Sequence, residues 1–189
     1  VSFAYLVYAS SWIKYHEPAA FCAALLNAQP MGFWSPHTLV RDARRHGVVV
    51  RTPDLNASLA GATLEPCPES EGGVAVRRGI GSVRGIGSEL AGEIEAVRKA
   101  GGLITDTEDL VRRVPSLTLA QLEAMATGGL FGECFGLDRR EALWTVGATA
   151  QSRPGRLPGV VTGDAAPRLP GMTPVEEAVA DLWATGVSP

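Results

Sequence analysis

The sequence predicts a mainly α chain with a small β component, and three observations carry that prediction. Apolar residues recur at helical spacing behind capping residues and prolines placed at first helical positions. The β-forming runs are few and short. A Gly-hydrophobic-Gly turn, Gly85-Ile86-Gly87, opens a helix whose Leu90, Ile94 and Val97 share one face.

Taken in order, residues 2–15 read as an amphipathic helix with Phe3, Leu6, Val7 and Ile13 apolar and Ser10, Ser11 and Lys14 polar. Pro18 starts a second helix through Leu26, packed through Phe21, Ala24 and Leu25. Ser35-Pro36 supplies an N-cap and an N1 proline for a third helix that runs to about His46 and stops at Gly47. Val48-Val49-Val50 is a short strand, and Thr63-Leu64 and Val74-Ala75-Val76 can pair as a ribbon. Between them, residues 52–73 are rich in turn formers and mark a domain boundary. A short helix is expected at about Gly79–Val83 and a longer one at about Ser88–Ala100, stopped by Gly101-Gly102. Thr105-Asp106-Thr107-Glu108 and Thr118-Leu119-Ala120-Gln121 have capping-box spacing and start helices to about Arg113 and Ala126. Gly128-Gly129 fits either a second hairpin turn or a plain helix stop, and a further helix lies near Asp138–Thr145. Residues 151–170 read as a linker, and Thr173-Pro174-Val175-Glu176 restarts a helix ending near Gly186. Its Val179, Leu182 and Trp183 need a covering partner, expected beyond Pro189.

At 189 residues the chain suits one or two domains with a real core. It has no initiating Met and opens inside an apolar run, which reads as a piece excised from a longer protein. That run falls well short of the ~20 apolar residues of a membrane span and lacks the features of a signal peptide. Cys22, Cys67 and Cys134 are far apart, so neither a disulfide framework nor a zinc site is supported, and the expectation is an intracellular, cytoplasmic protein. The net charge of −3 argues against a uniformly basic nucleic-acid binder, but cations gather in the middle of the chain. Arg41, Arg44, Arg45 and Arg51 stand against Asp42 alone, and around the glycine turn Arg77, Arg78, Arg84, Arg98 and Lys99 stand against Glu89, Glu93 and Glu95.

Two glycines before a helix N-terminus can hold an anion, because the backbone can approach closely and unpaired N–H groups point at it. A dinucleotide fingerprint needs a third glycine, but Arg84 follows Gly79 and Leu90 follows Gly85 at that position; no Gly-Lys-Ser/Thr follows for a Walker loop. What remains is a helix-hairpin-helix pattern, which holds the nucleic-acid backbone without reading bases. The candidate DNA-binding residues are Arg84, Gly85, Ile86, Gly87 and Ser88, with Arg77, Arg78, Arg98 and Lys99 adding charge.

Several blocks resemble a known family. Ser2-Phe3-Ala4 through Tyr8, Pro18-Ala19-Ala20-Phe21-Cys22-Ala23-Ala24-Leu25-Leu26-Asn27 and Gln29-Pro30-Met31-Gly32-Phe33 are similar to the bacterial C-family DNA polymerases, the alpha subunit of polymerase III. The Gln29–Phe33 segment followed by Asp42-Ala43-Arg44-Arg45-His46-Gly47-Val48 resembles the error-prone, ImuC-like branch. Pro53–Ser58, Arg139–Trp144 and Leu169–Met172 continue the likeness over essentially the whole chain. Tyr5, His16-Glu17 and Arg78 depart from the family's pattern.

The resemblance implies fingers-end helices followed by a tandem helix-hairpin-helix domain. Residues 1–60 would close the fingers region, 61–73 form a boundary loop, 74–148 the tandem DNA-binding domain, 149–172 a linker, and 173–189 a helix leading to an oligonucleotide-binding domain. It also implies translesion synthesis on primer-template DNA, Mg2+ for the parent polymerase, and ImuA/ImuB-type and sliding-clamp partners. No catalytic residue, metal ligand or cofactor is expected within this chain, nor any membrane contact; Asp106, Glu108 and Asp109 read as first-turn acids of a helix. The alternative is a non-catalytic protein-protein interaction module of a replication or repair assembly, with the glycine turn merely structural.

Overall fold

The computed structural model describes residues 2–150, 157, 163 and 165–187. They divide into two compact units, one formed by residues 1–51 with 61–78 and the other by 52–60 with 79–189.

The first unit carries α1 (Ser2–His16), α2 (Pro18–Asn27), α3 (Pro36–Arg45), β1 (Val50–Arg51), β2 (Thr63–Pro66) and β3 (Val74–Arg77). Ser35 caps α3 as expected, its hydroxyl accepting from the Thr38 N–H, and Gly47 takes φ +78° just past the helix end. The sheet order is β1-β3-β2, with β1 parallel to β3 and β2 antiparallel to it, Leu64 facing Val76. The valine-run strand is shorter and later than its sequence suggests: Val50 and Arg51 are in register with Val76 and Arg77 of β3, and Val49 only lends its carbonyl to the Val76 N–H. Asn27 closes the unit: its side-chain amide donates to Ala62 O and accepts from the Ala62 N–H. The amphipathic reading of α1 fails, since none of its residues is buried and Phe3, Tyr5, Leu6, Tyr8 and Tyr15 are all exposed.

The second unit carries α4 (Ser88–Gly101), α5 (Thr107–Arg113), α6 (Leu119–Thr127), α7 (Gly132–Phe135), α8 (Arg139–Thr149) and α9 (Pro174–Thr185). The expected helix at 79–83 is a single 3-10 turn, Ile80–Ser82. The core gathers Leu55, Ile80, Val83, Ile86, Ile94, Leu110, Leu122, Met125, Leu130 and Phe131, with Phe131 stacked on Phe135. Capping is dense. Asp106 caps α5 by accepting from Asp109 N–H, one residue later than the expected Thr105, while Thr118–Gln121, Asp138–Glu141 and Thr173–Glu176 form capping boxes.

The proposed domain limits need correction. Residues 61–73 are not a boundary loop: they carry β2, and with β3 they belong to the first unit. Conversely, residues 52–60 join the second unit, and polar side chains order this loop and tie it there. Asp54 accepts from the N–H groups of Asn56 and Ala57, and the Asn56 amide pairs with both backbone groups of Ile104. That frame delivers Leu55 to the core, fully buried. Of the expected linker at 149–172, residues 151–156, 158–162 and 164 lie outside the described residues.

Candidate nucleic-acid interface

Two buried side chains hold the glycine turn from below. Val83 and Ile86 are 3% and 2% exposed, and the Ile86 N–H donates to Val83 O at 3.0 Å. Between and beyond these anchors, Arg84, Gly85, Gly87 and Ser88 are exposed. Only Gly85, at φ +75°, needs glycine for its backbone. Gly87 is the N-cap of α4 at φ −77°, and a Cβ built on it would meet nothing within 4 Å. The fold therefore leaves open space over Gly87, and no side chain caps α4. The unpaired first-turn N–H groups and the positive end of the helix dipole face that space. The arrangement can accept a phosphate oxygen.

A second turn of the same construction lies between α5 and α6, where Val114-Pro115-Ser116-Leu117-Thr118 runs in register with Val83-Arg84-Gly85-Ile86-Gly87. Val114 and Leu117 are buried, the Leu117 N–H donates to Val114 O at 3.2 Å, and Thr118 is the N-cap of α6 as Gly87 is of α4. Leu122 and Met125 are buried where Ala91 and Ile94 are buried in the first copy. The turns fold together: Gln121 donates to Gly85 O at 2.9 Å, and Ser116 to a Glu93 carboxylate oxygen at 2.8 Å. Of the two readings open for Gly128-Gly129, the helix stop holds, since Gly128 is the C-cap of α6. The expected second copy is present, but its turn lies at Val114–Thr118 rather than at Gly128-Gly129, because this turn has no glycine; the apolar spacing Val114-x-x-Leu117 before a capping threonine is its sequence signal. The copies differ in one chemical respect. Thr118 fills its own helix N-terminus with a capping box, whereas Gly87 leaves that of α4 empty.

Most of the flanking cations are buried or paired within the protein. Arg77 is 3% exposed and holds Glu65 through Nε and Nη2 at 3.0 and 3.2 Å, and Arg78 is 4% exposed. Arg98 is buried, donating to Leu55 O and Ser58 O, and burial holds its guanidinium below its usual pKa. Lys99 is exposed and pairs with Glu95 at 2.6 Å. Arg98 and Lys99 also sit in the last turn of α4, about 16 Å along the helix from Ser88. Arg77 and Arg98 thus spend their guanidinium groups on partners within the protein, and Arg78 is buried. Arg84 is the candidate cation that remains at the turn, its guanidinium carbon 4.9 Å from the centre of the Trp183 ring.

Asp106, Glu108 and Asp109 are engaged in helix capping and in pairs with Arg112 and Arg113. Among the described residues no group of three or more His, Cys, Asp or Glu side chains is placed to hold a metal ion. No helix among them is long and apolar enough to cross a membrane.

The profile of the helix-hairpin-helix motif family matches residues 47–142. The chain is 58% identical over 189 residues to an error-prone DNA polymerase of Mycolicibacterium paratuberculosis, and 57% identical to one of Mycobacterium tuberculosis. An error-prone DNA polymerase of Nocardia farcinica is 55% identical over 195 residues. Each alignment covers 100% of this chain, which spans only 16–17% of the length of these relatives. Because the profile takes in both turns and just over half of the residues, the chain belongs to the helix-hairpin-helix motif family.

Proposed function

We propose that this chain is the DNA-holding part of an error-prone translesion DNA polymerase, gripping the sugar-phosphate backbone of duplex or primer-template DNA through Arg84–Ser88. The observation that carries the reading is the uncapped N-terminus of α4 beneath the open face of Gly87. A phosphate placed there gains backbone N–H donors, the helix dipole and the Arg84 charge, none of which depends on base sequence. The names of the relatives supply the polymerase context. On this reading Mg2+-dependent nucleotidyl transfer belongs to other parts of the longer polypeptide, and this chain alone is inactive. ImuA/ImuB-type proteins and the sliding clamp are proposed partners of that longer polypeptide.

A second reading rests on α1, whose exposed Phe3, Tyr5, Leu6, Tyr8 and Tyr15 suit packing against protein. It makes the chain a docking module with a structural hairpin. Titration of labelled duplex DNA with this chain separates the two: saturable, sequence-independent, salt-sensitive binding supports the grip. Absence of binding at low salt by the folded chain supports docking alone.

A further inference from the structure

α9 reaches the first hairpin with two contacts to one residue. The Arg84 N–H donates to Ala184 O at 2.7 Å, and the Arg84 guanidinium lies over the Trp183 ring. α9 is itself firmly seated: Arg139 donates to the Asp181 carboxylate at 2.6 Å and to the carbonyls of Thr127 and Glu177. Asp181 and Ala184 are both 1% exposed, and Arg140 adds a pair with Glu176 at 2.9 Å. The face of α9 that the sequence leaves in need of a partner is therefore used in part, with Trp183 meeting Arg84.

We infer that Trp183 is a positioning residue for DNA binding: it holds the Arg84 guanidinium at the mouth of the first hairpin, so that seating of α9 sets the hairpin's affinity for the backbone of duplex DNA. An aromatic face attracts the cation without neutralising it, unlike a carboxylate, and stacking leaves the edge N–H groups of the guanidinium free to donate. Arg is rotamer-rich, and ordering it before DNA arrives lowers the entropic cost of contact. This inference rests on the proposed backbone grip.

The test uses the full chain with Arg84→Ala, Trp183→Leu, Trp183→Phe and the double variant Arg84→Ala/Trp183→Leu. Anisotropy of labelled duplex DNA is read across a salt series, with folding checked by circular dichroism. Leu retains apolar bulk but removes the π face, and Phe restores that face. Trp183→Leu is expected to weaken binding about two- to fivefold, Trp183→Phe to recover most of the loss, and Trp183→Leu to add nothing once Arg84 is Ala. Equal losses with and without Arg84, or no loss from Trp183→Leu, overturn the inference while leaving the grip standing. No duplex binding by the folded wild-type chain overturns the grip itself and the inference with it.

Discussion

Replacing Arg98 with Ala should destabilise the second unit without touching DNA binding. The side chain donates to Leu55 O and Ser58 O, both on residues that are fully buried. Those two carbonyls have been carried into the core by the 52–60 loop, and each left without a donor costs about 1–3 kcal/mol. Removal also relieves the cost of keeping a guanidinium out of water, the cause of its lowered pKa, which offsets part of the loss. The net expectation is about 2–4 kcal/mol. With a urea slope of about 2 kcal/mol per molar, the unfolding midpoint should fall by about 1–2 M. Arg98→Lys should recover little of this, because an ammonium on a flexible stem cannot reproduce the guanidinium fork that spans two acceptors. Below the transition, the salt slope of duplex binding should match wild type. A midpoint shift under about 0.3 M together with a salt slope reduced by about one unit would make Arg98 a phosphate contact and refute the reasoning.

Ile94 is fully buried among the two hairpin copies, so Ile94→Ala should cost about 2–5 kcal/mol by urea unfolding; a loss below about 0.5 kcal/mol removes it from the core. The hydrogen bond from Lys99, followed by that from the Ala60 N–H, holds the Glu95 carboxyl below its ordinary pKa. Its stabilising effect is therefore complete above the unfolded pKa of about 4.3 and lost as pH falls through the lower folded value. The stability gap between wild type and Glu95→Gln should accordingly shrink between about pH 5 and pH 3, and a gap independent of pH contradicts the assignment. Burial pushes the Cys22 thiol up to about 11 and the Cys134 thiol up to about 12. Both should resist iodoacetamide at pH 8 in the folded chain and react on unfolding; mass-spectrometric mapping that finds both rapidly alkylated in the native state refutes this.

Local signals were legible in the sequence where chemistry is local. Ser35-Pro36, the capping boxes at Thr118 and Thr173, and the turn at Gly85 all stand where side-chain type and spacing placed them. Burial was not legible. Arg77 and Arg98 look like surface cations in a one-dimensional count, and only the tertiary arrangement brings Glu65 to one and two loop carbonyls to the other. Residues 52–60 have the composition of a linker, yet Asp54 and Asn56 spend their polar groups on the backbone and bury Leu55. Positive φ occurs at Gly85 and not at Gly87, because the extended N-cap needs no left-handed backbone. The open space above Gly87 is a property of the packed neighbours, and no spacing rule reports it.

The most direct test of the backbone grip is a salt series of duplex DNA binding by wild type, Arg84→Ala and Gly87→Val. Gly87 has a φ that valine tolerates and open space above it, so a well-folded Gly87→Val chain blocks the approach to the α4 N-terminus without straining the turn. Arg84→Ala should weaken binding alike on unrelated sequences and lower the salt slope by about one unit. Gly87→Val should remove most of the affinity by standing between backbone and phosphate. Unchanged affinity and slope in both folded variants would contradict the account and leave the hairpin an ordinary turn.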